Sequence, residues 1–441
     1  MRWPFVLVVL LCVTSIFAQE ENAEYYFLDW DIDSVFDEPA QTEPVKSDPV
    51  KKDDAIPASP PGQDTVKKLI QQRGYTFTAS SEFVTGVAPG WHRIPGDSDW
   101  DTSEYFLNRY LKMTGAMSID AQISDVFRTK SVIQYEIPDF KFTLGDFFFD
   151  YKLYDVVFFR GGKYSASWGI SPNYGFTNLL SRVPKYGNAN EPFTFKADAP
   201  IGNGGLQVLA LTRVNLMSSN YELPAIKDFG FGGKYNLALP WADFDAGLFY
   251  QEGMALRGFL SIKTTLWNTE LYNEWLGAID VDEPSNMSGA FNIGFERQLF
   301  DKKLNINGEL FFNAEKDAMF YHPETKIREA GTSPFIEGFN MALNLRYRLW
   351  ENGNPRLFLS ALYAPAQNSA QLIPGFRYSP WQHIEFYFAA PLALGDRDGY
   401  YRKHTITETN NKNEDKENKP LPFAIIFLIT LKGSVRFGHY Y

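Results

Sequence analysis

Eight cations and one tryptophan are the residues whose types and spacing could do chemistry in this chain, and that chemistry is electrostatic rather than covalent. Arg160, Lys163, Arg182 and Lys185 fall in or beside one segment around Trp168. Arg346, Arg348, Lys432 and Arg436 stand on the polar rows of alternating stretches. Cations that line a water-filled passage favour anions. Glu296, Glu309 and Glu385 stand on comparable rows and could pair with those cations instead, leaving a polar passage of little selectivity. The sequence leaves both readings open. Catalysis finds little support. The five histidines, His92, His322, His383, His404 and His439, show no metal-ligand spacing, and there is no Gly-x-Ser-x-Gly elbow and no phosphate loop. No cofactor or metal is expected. His383, read as standing on an inward row, is the one residue a barrel lipase could use, and a lumen-facing polar side chain is the simpler account of it. Nothing resembles a basic patch for nucleic acid.

Strands must position these side chains. In the last stretch Phe427, Ile429, Leu431, Gly433, Val435, Phe437, His439 and Tyr441 alternate with Leu428, Thr430, Lys432, Ser434, Arg436, Gly438 and Tyr440. A period of two places successive side chains on opposite faces of a strand. The same alternation recurs from about Gly74 onwards: Met117 to Ser124, Phe291 to Glu296, Leu304 to Asn313, Phe339 to Trp350 and His383 to Phe388. Its polar rows mix Asn, Gly and Ser with a few charges, as a wet barrel interior would. No stretch after the leader approaches the roughly 18 apolar residues of a spanning helix. A chain of this kind in lipid has to close its sheet, because an open edge leaves backbone groups unpaired.

Connection lengths point the same way. Short ones (Pro240–Ala242, Asn268–Thr269, Leu299–Lys302, Trp350–Pro355, Ser379–Gln382) alternate with long polar ones (Met217–Asp228, Asp280–Ser288, Ala314–Glu337, Gly395–Pro422). Aromatics make up 16% of residues, and many Tyr and Trp stand near expected strand ends, among them Trp241, Trp267, Tyr272, Trp275, Tyr363, Trp381 and Tyr401, where interfacial belts would use them. The expected fold is all-β: a transmembrane antiparallel up-and-down β-barrel of about 16–18 strands.

The terminal strand, ending on the aromatic Tyr441, resembles the C-terminal signature of bacterial outer-membrane barrels, although His439 departs from it. That resemblance implies recognition by the barrel-assembly machinery. The stretch Arg160-Gly161-Gly162-Lys163-Tyr164-Ser165-Ala166-Ser167-Trp168-Gly169 is similar to a segment of alginate-export-type porins that reads Gly-Arg-Gln, three residues, Trp-Gly. Gly162, Lys163, Trp168 and Gly169 match in spacing, with Lys in place of Arg and Tyr164 in place of Gln. Running from Lys163 to about Pro192, this segment is too long for a turn and too apolar for a free surface loop. It is expected to fold inward and narrow the pore, the alternative being a charged outer loop.

Ahead of the barrel lie two segments of different composition. Residues 1–18, with Arg2, an apolar core and Ala18, read as a signal peptide cleaved before Gln19, which also removes Cys12, the chain's one cysteine. Residues 19–72 read as an acidic, Pro-rich tail; thirteen acids against three lysines between 19 and 64 carry −10 of the formal charge of −11. Within it, Tyr25-Tyr26-Phe27-Leu28-Asp29-Trp30 is too apolar for pure linker and either tucks onto the folded domain or docks a periplasmic partner. The barrel is expected over 73–441, in a bacterial outer membrane, with the tail in the periplasm and long loops outside. Its expected work is passive diffusion of small polar solutes. A plugged barrel for hydrophobic substrates (Phe311 and Phe358 stand on interior rows), a surface adhesin or antigen, and a soluble all-β protein are the rivals.

Overall fold

A computed structural model describes residues 73–440 except 96–100, 104, 139, 155, 165, 175–191, 213–224, 253–254, 286, 315–337, 351–353 and 404–420. The leader, the acidic tail, Arg182, Lys185 and Tyr441 fall outside the described residues. In chain order the strands are β1 (Gly74–Trp91), β2 (Phe106–Ser124), β3 (Phe127–Ile137), β4 (Lys141–Leu153), β5 (Val157–Lys163), β6 (Phe193–Ile201) and β7 (Gly204–Thr212). There follow β8 (Gly230–Ala238), β9 (Asp243–Gln251), β10 (Leu256–Leu266), β11 (Thr269–Ile279), β12 (Met287–Leu299), β13 (Leu304–Asn313) and β14 (Gly338–Arg348). The last are β15 (Arg356–Ala364), β16 (Ser369–Trp381), β17 (Ile384–Ala389), β18 (Leu392–Gly395), β19 (Phe423–Ala424) and β20 (Ile426–Tyr440).

Each strand pairs antiparallel with the next, as hairpins dictate. β17 and β18 both lie along β16, and β19 and β20 both lie along β1, so these four segments form two interrupted strands and the barrel has 18. Pairing of β1 with β20, Phe77 opposite Phe437, closes the sheet. No helix among the described residues is long and apolar enough to cross a membrane; the crossing is made by strands.

The alternation sorts as the sequence suggests. Ile293, Met341, Leu343, Leu431, Val435 and Phe437 are exposed on the outer wall, while Asn292, Glu309, Asn340 and Asn344 are buried inside. That is the inverse of a soluble protein, and lipid is the medium that suits it. Both barrel termini, Gly74 and Tyr440, share one end with tight connections such as 202–203, 267–268, 300–303 and 382–383. Long connections (92–105, 164–192, 213–229, 314–337 and 396–422) gather at the other. The short-turn end carries a girdle of exposed rings: Tyr154, Trp241, Trp267, Phe300, Trp350 and Trp381. Trp267 and Asn268 have φ of +50° and +57°, the left-handed pair that a two-residue hairpin with the right twist requires. Two of the named belt rings are not on the outer wall. Tyr272 and Tyr401 are buried inside, Tyr272 because its hydroxyl finds a carboxylate there.

Candidate functional site

The site is the lumen, and the connection after β5 shapes it. At Gly162 φ is +140°, and a Cβ would run into the Phe147 carbonyl oxygen; at Gly169 φ is +97°. Only glycine takes such geometry cheaply, so these two residues let the chain leave the wall and then turn. Between them Lys163 Nζ donates to the Leu144 carbonyl, and Trp168 becomes nearly fully buried against Phe249 and Phe259, with ring centroids 6.4 and 5.7 Å apart. The Trp168 indole N–H donates to Gln207 Oε1 at 2.5 Å. Residues 166–174 thus lie inside the barrel, on the inner faces of β7 to β14.

Two carboxylates hold them there. Glu274 Oε1 accepts the Ile170 backbone N–H at 2.9 Å and the Ser261 hydroxyl at 3.2 Å. Glu309 Oε1 accepts the Asn173 N–H at 3.0 Å and the Tyr272 hydroxyl at 2.8 Å, while Oε2 accepts the Ser171 hydroxyl at 2.9 Å. Asn173 also donates to Asn307 Oδ1 at 2.6 Å and accepts from Asn344, and Asn292 donates to Ser171 Oγ at 2.9 Å. Tyr174 then stacks on Phe311 at 4.8 Å. An ionised carboxylate has about four acceptor sites, and Glu309 uses most of them on the loop and its surroundings. Beside this loop a cavity of about 620 Å³ is lined by Ile170, Asp198, Gln207, Lys234, Asp245 and Lys263, among others.

Charges on the first half of the wall come in pairs. Arg160 grips Asp150 through two bonds, 2.6 and 3.0 Å, and lies 4.3 Å above the Phe148 ring. Lys112–Glu136, Lys196–Asp198, Lys234–Asp245 and Lys263–Glu270 are 2.9, 2.9, 3.3 and 2.6 Å apart. The wall from β14 to β16 with β20 sets cations side by side. Arg348 stands opposite Arg356, and Arg356 opposite Arg377, one lateral row across three strands. Arg346, Lys432 and Arg436 share the inward rows of β14 and β20. Glu385 sits 3.6 Å from Arg377 and 3.9 Å from Lys432, and Glu82 4.0 Å from Lys432.

The expected site residues therefore separate. Arg160, Lys163 and Trp168 belong to the inward loop and its root, with Arg160 and Lys163 tied to the wall. Arg346, Arg348, Lys432 and Arg436 stand on the inward rows of β14 and β20, Arg346 two residues from Asn344, which donates to Asn173 of the loop. Glu385 takes the pairing role allowed for it; Glu296 accepts from Asn305 at 2.9 Å, and Glu309 serves the loop instead of a cation. His383 is not on an inward strand row: it occupies the turn between β16 and β17, its Nδ1 3.0 Å from the Lys432 carbonyl oxygen. A ring held at a backbone oxygen in a turn is a poor base for lumenal chemistry. Arg356, Arg377, Glu274 and Asn292 are not singled out from sequence, and Tyr272 is read there as a belt ring, although the alternation of Arg356-Leu357-Phe358 and Tyr272-Asn273-Glu274 carries the signal for their faces.

The closed antiparallel barrel matches solved structures. The fold is that of a porin-like outer-membrane barrel. OccK3 (OpdO) of Pseudomonas aeruginosa superposes with a TM-score of 0.51 at 10% identity, covering 84% of this chain and 98% of that one. OpdL and OpdQ of the same organism each give 0.51 at 8% identity, over 82% of this chain and 99% of theirs. No protein-family model matches the sequence, and no curated protein does. The likeness bears on the barrel and leaves the narrower resemblance around Gly162 and Trp168 where the sequence puts it.

Proposed function

We propose that the protein works in a bacterial outer membrane as a channel for passive diffusion of small polar solutes, with anions favoured. A barrel of 18 strands encloses water unless plugged. The observation that carries the reading is the division of the lumen. The loop of residues 166–174 packs on one wall, and the wall opposite in character presents Arg346, Arg348, Arg356, Arg377, Lys432 and Arg436 against Glu385 and Glu82. Cations that face a solute in water lower the barrier for anions and raise it for cations. In this reading lipid covers the outer rows, the short turns and the tail face the periplasm, the long connections face outward, and β20 with its terminal aromatic is read by the assembly machinery.

Liposome swelling with a neutral hexose and a sugar acid of equal size tests this. Both should enter, the sugar acid faster. Swelling by neither, from a barrel shown to be folded by heat-modifiable migration, would overturn the channel and leave the plugged or adhesive readings.

A further inference from the structure

One carboxylate buried in the lumen is held without a cation. Glu309 is 5% exposed on the inner face of β13, and among the described residues no lysine or arginine forms an ion pair with it. Four neutral donors converge on it instead. The Asn173 N–H at 3.0 Å and the Tyr272 hydroxyl at 2.8 Å donate to Oε1, and the Ser171 hydroxyl at 2.9 Å and Asn292 Nδ2 at 3.3 Å donate to Oε2. The two hydroxyls already receive hydrogens of their own. Ser171 Oγ accepts from Asn292 Nδ2 at 2.9 Å and from the Tyr174 N–H at 3.3 Å, and Tyr272 Oη accepts from Asn307 Nδ2 at 3.2 Å. A hydroxyl offers one hydrogen and two lone pairs, so Ser171 is fully used. An ionised carboxylate has about four acceptor sites and no hydrogen; that form of Glu309 alone satisfies all four donors.

We infer that Glu309 is a proton-sensitive latch on the loop of residues 166–174, closed while the carboxylate is charged and released in acid. A proton taken from water forms an O–H bond on one Glu309 oxygen. Its hydrogen then points at donors that have no free lone pair to receive it, and at least one of the four bonds breaks. Tyr272 and Asn292 are carried by strands of the wall, whereas Ser171 and Asn173 lie on a connection, so the loop is the side that yields. The titratable and charged groups around Glu309 are Tyr272 and Glu274 on β11, Tyr174 on the loop, Glu296 on β12 and Arg346 on β14. Glu296 is level with Asn307 and Arg346 with Asn305, about 7 and 13 Å along the wall from Glu309 at about 3.3 Å per residue. Phenols ordinarily ionise only near pH 10 and guanidinium stays charged, so in mild acid only the carboxyl groups change state. The sign follows from the bonds: the set is complete above the titration of Glu309 and is lost as pH falls through it. Release of the loop stands on these bonds alone, whereas the wider passage that goes with it rests on the channel reading above.

A nitroxide on Ser167→Cys, an exposed loop position, tests the release in the full chain, with Cys12→Ser removing the one native cysteine. In liposomes the label should be immobile at about pH 7.5, its mobile fraction should rise severalfold by about pH 4, on the acid side of an ordinary glutamate, and the change should reverse on return. Glu309→Gln, confirmed as folded by heat-modifiable migration, should be mobile at both values with no further effect of pH. Glu296→Gln should keep the transition of the unaltered protein. A label immobile throughout in the unaltered protein overturns the latch. So does a transition that survives Glu309→Gln or vanishes with Glu296→Gln, and so does a Glu309→Gln label that stays immobile. For the passage, liposome swelling with a solute excluded at about pH 7.5 should become measurable at about pH 4. An unchanged size limit while smaller solutes pass overturns the widening. Acid release of the label with no swelling by any solute at either pH contradicts the channel reading while upholding the latch.

Discussion

Two parts of the inner wall, β7 to β14 and β14 to β16 with β20, follow the same alternation and end up with opposite characters. The first is covered by residues 166–174, and Gln207, Glu274, Asn292, Asn307, Glu309 and Asn344 all bond to the loop. The second sets arginines side by side across three strands, with Glu385 beside Arg377 and Lys432. Period two decides which residues face water. Whether a water-facing residue shapes the path or meets the solute depends on what else enters the barrel.

Breaking the first wall should have the largest effect. Glu274→Ala with Glu309→Ala removes the acceptors for Ile170, Ser171, Asn173 and Tyr272, and buried partners left unpaired cost about 1–3 kcal/mol each. The loop should leave the wall, seen as faster amide exchange at Ile170 and Asn173 and as liposome swelling with solutes too large for the unaltered protein. Trp168→Ala comes next. Truncating a buried Trp costs about 3–5 kcal/mol, and the loop should loosen while its carboxylate bonds remain, giving noisier conductance. If neither change alters solute size or noise, the loop does not set the passage.

Arg356→Gln with Arg377→Gln acts on the second wall. It should reduce the chloride-to-potassium permeability ratio severalfold, leave heat-modifiable folding intact and leave the size limit alone. The smallest effect is expected from Lys263→Gln, which breaks the half-exposed pair with Glu270. Such pairs contribute at most about 1 kcal/mol, and selectivity should not move. A large shift there would mean that the paired charges of the first half also face the solute.

Much of this division is legible in the sequence. Phe291, Ile293 and Phe295, Met341 and Leu343, and Val435 and Phe437 face outward as alternation requires, and Arg346, Arg348, Lys432 and Arg436 face inward. Gly162, Trp168 and Gly169 mark the inward loop, because two left-handed turns and a large ring are what such an excursion needs. Period two could not reveal the partners. Asn173 and Glu309 are separated by 136 residues and meet only because the barrel closes. Tyr272 shows the same limit: a tyrosine near a strand end suits an interfacial belt as well as a buried carboxylate, and only the bond to Glu309 distinguishes them. His383 misleads for a related reason, since alternation continues in the letters one residue past the point where the strand has become a turn.

The most direct test of the account is the reversal potential of single channels formed by the mature chain in a planar bilayer under a potassium chloride gradient. The account predicts discrete conductance with chloride more permeant than potassium, the preference shrinking as salt rises. Preference for potassium, or no conductance from a correctly inserted barrel, would contradict it.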